Sequence, residues 1–375
     1  MSKIWVTGVA GFLGSHIADA LLAQGHEVAG NDSLVCGDEN NLISVGLAQM
    51  TEFDGEPHIV FNKHRIDREL DCCDFDGMFY ALREFKPDVL IHCAATAHEG
   101  LSSFSPSFIT KNIYEASIAT FSAAIAAGVK RIVFMSSMAR YGWGGHSCYG
   151  ITDRPEQKNA YLYKQIYPPF EEWHTTAPID PYGIAKVAAE DTLKVLCKTH
   201  DVKYSIAVPH NIIGVRQKYD DPARNVCSIM INRCLQGNPP IVYGDGLQTR
   251  CFSPVADCIP SIVKIVEGAA DGEVVNIGPD QGEITIRHLA EKICSMTGYK
   301  GEITYMPDRP NEVKHAYCSS DKARKLLGYK EVNSIDFCLK QMIDDIKLRG
   351  TKPFDYFFPI EIESGCPETW LKKTM

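Results

Sequence analysis

The stretch that decides the fold is Ile4-Trp5-Val6-Thr7-Gly8-Val9-Ala10-Gly11-Phe12-Leu13-Gly14-Ser15. Ile4–Thr7 reads as a short buried strand, Phe12–Ala23 as an amphipathic helix, and glycines at 8, 11 and 14 join them. Glycines so placed let the chain turn tightly, bring backbone N–H groups against a pyrophosphate, and allow the helix to lie close on the strand. Gly8, Gly11, Phe12, Leu13 and Gly14 are therefore candidate contacts to a dinucleotide. A plain strand-to-helix turn can use the same spacing, so its meaning depends on what surrounds it.

Eighteen residues beyond Gly14, at the end of the second strand pattern (Glu27–Asn31), stands Asp32. A carboxylate there accepts both ribose hydroxyls of NAD and repels the additional phosphate of NADP. Asn31-Asp32-Ser33 is also good turn chemistry, but beside the glycine loop the ribose role is favoured. Farther out, apolar strand-like runs alternate with helical stretches: Asp88–Ala95, Asn112–Ala127, Arg131–Ser137, Tyr182–Thr199, Tyr204–Pro209. Such alternation implies an α/β fold, a doubly wound parallel sheet covered by helices on both faces. Val89-Leu90-Ile91-His92-Cys93 and Ile132-Val133-Phe134-Met135 lack a polar alternate face, as strands buried on both sides should. Between Leu34 and Leu70, both His58–Asn62 and His64–Leu70 suit the third strand.

Past residue 210 the rhythm loosens into turn-rich segments such as Gly237-Asn-Pro-Pro240 and Tyr243-Gly-Asp-Gly246. Residues 1–210 are expected to form a nucleotide-binding domain to which segments near 251–278 return. Residues 211–250 and 279–350 should form a smaller α/β substrate-binding lobe, and 351–375 a tail packed on the body.

The whole chain fits this reading. Its 375 residues suffice for a large core, and 45% hydrophobic with 23% charged residues excludes a disordered or collagenous chain. With 47 acidic against 38 basic residues, no broad basic surface for nucleic acid or an anionic membrane is expected. The 14 cysteines are scattered without a C-x-x-C pair, so no metal is expected and most read as buried and reduced. No secretory leader is visible, and Ser117–Val129 falls short of the about 20 apolar residues that span a bilayer. A cytoplasmic protein fits these observations.

Tyr182-Gly-Ile-Ala-Lys186 opens a helix, which sets Tyr182 and Lys186 one turn apart on one face. A phenol titrates near 10, so a tyrosine base working at pH 7 needs roughly 4 kcal/mol of preferential stabilisation of its anion. A nearby ammonium and a cationic nicotinamide supply it. Lys186 could also hold the nicotinamide ribose. Ser136-Ser137 ends a strand at the edge where ligands of open α/β sheets sit, and one of the two hydroxyls could bond the substrate oxygen being oxidised.

Taken in order, the glycine loop, Asp32, Asp71-Cys72, His92-Cys-Ala-Ala95, Ser-Ser-Met-Ala-Arg-Tyr-Gly142 and Pro-Tyr-Gly-x-x-Lys186 resemble the extended short-chain dehydrogenase/reductase family, in particular its nucleotide-sugar epimerases. Pro209-His-Asn-Ile-Ile-Gly214, Tyr243 through Arg250, Asn276-Ile-Gly278 and Asp308-Arg309-Pro-Asn-Glu312 extend the likeness. The resemblance implies a Rossmann-like fold with Ser137, Tyr182 and Lys186 as the catalytic set. It implies Asp71 and Cys72 at adenine, Ala94 and Ala95 along the pyrophosphate and ribose, and Asn112 near the nicotinamide end. Asn211, Arg250 and Arg309 would clamp a substrate diphosphate, with Glu312 on the uridine ribose.

The resemblance further implies a UDP-hexose 4-epimerase of the UDP-glucose or UDP-N-acetylglucosamine type that uses NAD and a 4-keto intermediate, serves polysaccharide biosynthesis, and pairs into a homodimer through Asn112–Ala127 and Tyr182–Thr199. Dehydratases of the family place an Asp-Glu pair after the catalytic Ser or Thr, whereas here Met138, Ala139 and Arg140 follow. Dehydration with Glu99 or a residue of the long segment as the missing acid and base, epimerisation at C2, reduction, or a silent NAD-binding sensor are the alternatives. Arg140 could reach an acidic sugar or pair with a carboxylate, and either of His98-Glu99 could touch the sugar, though the two read better as a solvent-exposed pair. Ala316, where glucose-restricted relatives carry a tyrosine, should leave room at C2. The long segment between Ser137 and Tyr182 is either a surface elaboration or a lid.

Overall fold

The computed structural model describes residues 1–44, 46, 48–53, 56–61, 66–68, 70–144, 146–148, 163–165 and 167–375. Seven parallel strands make one sheet: β1 (Lys3–Thr7), β2 (Glu27–Asp32), β3 (Ile66–Arg68), β4 (Val89–His92), β5 (Arg131–Met135), β6 (Lys203–Pro209) and β7 (Val274–Ile277). Across the sheet they run β3-β2-β1-β4-β5-β6-β7. The chain winds one way from β1 to β3 and the other way from β4 to β7. The reversal between β1 and β4 opens a crevice at their carboxyl ends.

Alternation along each strand explains why the runs carry apolar residues throughout. Ile4 and Val6 of β1 face a core with Ile17 and Leu21 of α1 (Phe12–Ala23) and Ile262 and Ile265 of α5 (Val255–Val266). Trp5 faces the opposite core, with Leu82 of α2 (Phe75–Phe85), Phe121 of α3 (Ala116–Ala126) and Leu193 of α4 (Pro181–His200). Each Ile or Leu so withdrawn from water contributes roughly 1.5–3 kcal/mol, so both faces must be covered.

Of the two candidates for the third strand, the later supplies it: Ile66 pairs with Gly30, and its side chain joins the α1 core. Glu56–Phe61 pairs antiparallel with Ala48–Phe53 outside the sheet. The helix expected from Asn112 begins as a π-helical turn, Lys111–Glu115, and becomes α-helical at Ala116.

A separate core gathers helices Val226–Leu235, Ile286–Thr297 and Ile335–Arg349 around Met230, Leu289 and Leu339. Beside it, strand Thr249–Arg250 lies between Ile284–Thr285 and His315–Ala316. The tail covers Leu101 and Phe104 with Phe358 and Trp370, and the Trp370 indole N–H donates to the Pro222 carbonyl at 3.2 Å.

Most of 145–166, on which the choice between lid and elaboration falls, lies outside the described residues. From Tyr167 onward the segment is anchored. Phe170 is buried with its ring stacked on Tyr141 at 5.2 Å, and Glu172 accepts from the Asn276 N–H at 2.8 Å. Among the described residues no helix is long and apolar enough to cross a membrane, and 13 of the 14 cysteines, all but Cys148, are free thiols.

Candidate active site

The crevice deepens into a cleft of about 450 Å³, lined at one end by the glycine loop and at the other by Arg250 and Arg309. Gly8 has φ +67°, and a Cβ on it would stand 2.8 Å from Ala94 Cα. A Cβ on Gly14 would run into the Gly8 carbonyl. Gly11 is the N-cap of α1 and has no side chain to satisfy the first N–H groups of the helix, which leaves them for an anion. Thr7 Oγ1 accepts from the N–H groups of Cys93 and Ala94 at 3.1 and 3.2 Å, tying β1 to the end of β4.

Asp32 closes β2 at the cleft wall, where its carboxylate accepts from the N–H groups of Ala10 and Leu34 at 2.9 and 2.8 Å. Burial pushes its pKa upward, while those two bonds favour the anion. Asp71, Cys72, Ala94, Ala95 and Asn112 all line the same end. Asp71 holds its turn by accepting from Cys73 N–H at 2.9 Å, Cys72 is buried beneath, and Asn112 donates to Phe108 O at 2.7 Å across the π-helical turn. Such turns recur at functional sites because they displace side chains from helical register. An anion-ready helix end and a buried carboxylate at the end of β2 fit a dinucleotide.

The proton-handling groups converge midway along the cleft. Asp180 caps α4 by accepting from Gly183 N–H at 2.8 Å, and Pro181 fixes the first turn, so Tyr182 and Lys186 enter the cleft one above the other. Lys186 Nζ donates to the Met135 carbonyl at 2.8 Å and lies 6.0 Å from the Tyr182 ring centre. Burial lowers the Lys186 ammonium to about 8, with Cys93 and Glu190 working to raise it. Burial raises the Tyr182 phenol to about 12, against a smaller downward pull from the Ser137 hydroxyl bonded to it. Ser137 caps the turn Met138–Tyr141 by accepting from Ala139 N–H at 3.2 Å. Ser136 also borders the cleft, but its hydroxyl is committed to Glu190, to which it donates at 2.5 Å.

Beyond Tyr182, the Glu312 carboxylate joins Arg250 (3.0 Å) to Arg309 (2.9 Å to Nε), and the Arg309 guanidinium lies over Tyr243 at 4.9 Å. Asn211 lines this end with φ 45° and donates to Cys251 O at 3.1 Å. The candidate catalytic, cofactor-binding and substrate-binding residues therefore line one cleft.

The profile of the NAD dependent epimerase/dehydratase family matches residues 4–278. The chain belongs to this family. It is 30% identical over 325 residues to a UDP-glucose 4-epimerase of Mycolicibacterium smegmatis, covering 87% of this chain and 92% of that protein. A UDP-glucose 4-epimerase of Thermotoga maritima, solved with UDP-glucose, superposes with a TM-score of 0.76 at 26% identity over 92% of this chain and 99% of its own. The Thermus thermophilus UDP-glucose 4-epimerase, solved with NAD, gives 0.73 at 25% identity, with 92% and 99% covered. NAD is the cofactor of the family.

For this member of the epimerase/dehydratase family, the expected exposure of His98 and the place of Ala316 need correction, and the alternatives left open for Arg140 and Glu99 are resolved. His98 is fully buried rather than solvent-exposed, because Asp221 receives its Nε2 at 2.7 Å and the rings of Phe357 and Phe358 flank it. Glu99 opens onto the cleft instead of the outer surface. Arg140 reaches no ligand position: it is buried against Glu190, Nη2 to Oε2 at 3.1 Å. Ala316 is buried in the strand opposite Arg250 and does not line the cleft. The sequence reading also missed Cys36, whose thiol gathers with His98 and Asp221 within 4.8 Å, since three residues so far apart in the chain share no spacing signal.

Proposed function

We propose that the protein is a nucleotide-sugar 4-epimerase, with UDP-hexoses as the favoured substrates. The observation that carries this is the joining, in one cleft, of Ser137, Tyr182 and Lys186 to a paired-arginine end at Arg250 and Arg309. NAD, when bound, supplies the acceptor and later the donor of a hydride. Tyr182 Oη takes the proton of the sugar C4 hydroxyl while Ser137 holds that oxygen, and the same phenol returns the proton to the reduced C4 oxygen. Burial leaves the phenol near 12, so the base depends on positive charge beside it: Arg224 already pulls it down, and the Lys186 ammonium lies 6.0 Å from the ring centre.

Arg250 and Arg309 offer forked donors to a diphosphate, which would anchor the nucleotide while the sugar turns over. Asn211 adds an amide donor, and Glu312 lies within reach of the nucleoside ribose. Epimerisation is favoured over elimination because neither Met138 nor Ala139 can serve as an acid and Arg140 is committed to Glu190. The relatives at lower identity include a UDP-N-acetyl-alpha-D-glucosaminuronate decarboxylase of Bacillus cytotoxicus at 28% and a dTDP-glucose 4,6-dehydratase of Escherichia coli at 24%, so product identity is the decisive measurement. Incubation with UDP-glucose or UDP-N-acetylglucosamine, without added NADH, should give the C4 epimer at constant mass by NMR. A 4-keto-6-deoxy product or loss of carbon dioxide would overturn the assignment.

A further inference from the structure

Glu99 belongs to the loop after β4, and this loop is pinned at two points. Ser102 Oγ donates to the Glu99 carbonyl at 2.7 Å and stands 3.4 Å from the Asp180 carboxylate that caps the Tyr182 helix. Next along, Gly100 lies against Arg309, and a Cβ there would be 3.3 Å from Nη1. Glu99 is thereby held between the helix that carries Tyr182 and the arginine end, where a sugar joined to a diphosphate must lie if the nucleotide-sugar reading holds. Its side chain faces the cleft and has no hydrogen bond or ion pair among the described residues. The charged groups around it are Asp180 and Tyr182 from α4, Arg250 from strand Thr249–Arg250, and Arg309 and Glu312 from the loop before His315–Ala316. Both guanidiniums are already engaged by Glu312 and face the diphosphate position, so Glu99 and Asp180 leave the sugar position acidic.

We propose that Glu99 decides which sugars the cleft accepts: its carboxylate receives a hydrogen-bond donor on the sugar, a hydroxyl, an amide N–H or an ammonium, and excludes sugars that carry a carboxylate. The inference rests on the nucleotide-sugar reading and narrows it. A second anion placed beside Glu99 would meet the like charge of Glu99 and Asp180, with Arg250 and Arg309 tied to Glu312 and Arg224 the further cation lining the cleft, so Glu99 selects by repulsion. Glu99 stays open to water in the cleft, whose walls and then Asp180 raise its carboxyl, with Arg250 and Arg309 opposing, so the repulsion is strongest at high pH and fades as Glu99 takes a proton.

The test is calorimetric titration of the NAD-loaded protein with UDP-glucose and UDP-glucuronate, each referred to UDP alone, at about pH 8.5 and about pH 5.5. Wild type at the higher pH should prefer UDP-glucose by roughly tenfold or more. The preference should narrow at the lower pH, and in Glu99→Gln, which keeps the shape and removes the charge, at both. Equal affinities in wild type, or an unchanged preference in Glu99→Gln, would overturn the inference. Failure of both UDP-sugars to bind overturns the nucleotide-sugar reading itself, which the NMR product assay reports separately.

Discussion

Tyr182 carries the heaviest chemical demand on any single side chain here. Replacing it by Phe removes the proton acceptor without changing the ring, and kcat should fall by about 10³ or more, read by NMR of the epimer. Lys186 predicts a pH limb: its ammonium, lowered to about 8 by burial, is lost as pH rises through that value, and the phenol loses the cation that favours its anion. The kcat profile should therefore decline above pH 8, and a rate still climbing through pH 9 would refute this role for Lys186. Behind these residues, Arg140 and Glu190 form a buried pair. Arg140→Met should cost about 3 kcal/mol in denaturant titration by stranding the carboxylate, and the double variant with Glu190→Gln should recover much of that. The letters at 8, 11, 14, 32, 182 and 186 were readable because order and spacing carry them. Arg140, His98 and Glu99 were not, since a charged or imidazole side chain looks the same in sequence whether a distant partner such as Glu190 or Asp221 buries it or water does.

For whole elements, periodicity was informative where strands are covered on both faces and poor where they are short. β1, β4 and β5 announced themselves by apolar runs, whereas β3 is three residues with a single deeply buried side chain, Ile66, and its neighbourhood held a competing strand pattern. The π-helical turn at Lys111–Glu115 was equally silent, because one extra residue per turn alters no composition. The junction of β1 and α1 gives the clearest element-level prediction. Gly14→Ala forces a methyl into the Gly8 carbonyl, which must move α1 off the strand. The variant should lose about 2 kcal/mol of stability and most of its bound NAD, measured by thermal melting and by the absorbance of released cofactor.

Across the whole molecule, α4 displays Ile184 and Val195 on one outward stripe, 55% and 64% exposed. Residues eleven apart return to the same helical face, so these two share an edge with Ala188 and the exposed Asp191 between them. We infer that a second copy covers it. Light scattering should give the mass of a dimer, and Ile184→Glu with Val195→Glu should give a monomer. The arginine end also has a consequence for how ligands compete. Glu312 already sits on both guanidiniums, so an arriving diphosphate exchanges with a tethered anion rather than with chloride from solution. UDP affinity should then vary little with added salt, and Glu312→Gln should both tighten binding and make it fall steeply as salt is raised. The carboxylate acts as a resident competitor of fixed effective concentration, and product departure is hastened because something is always waiting to take its place.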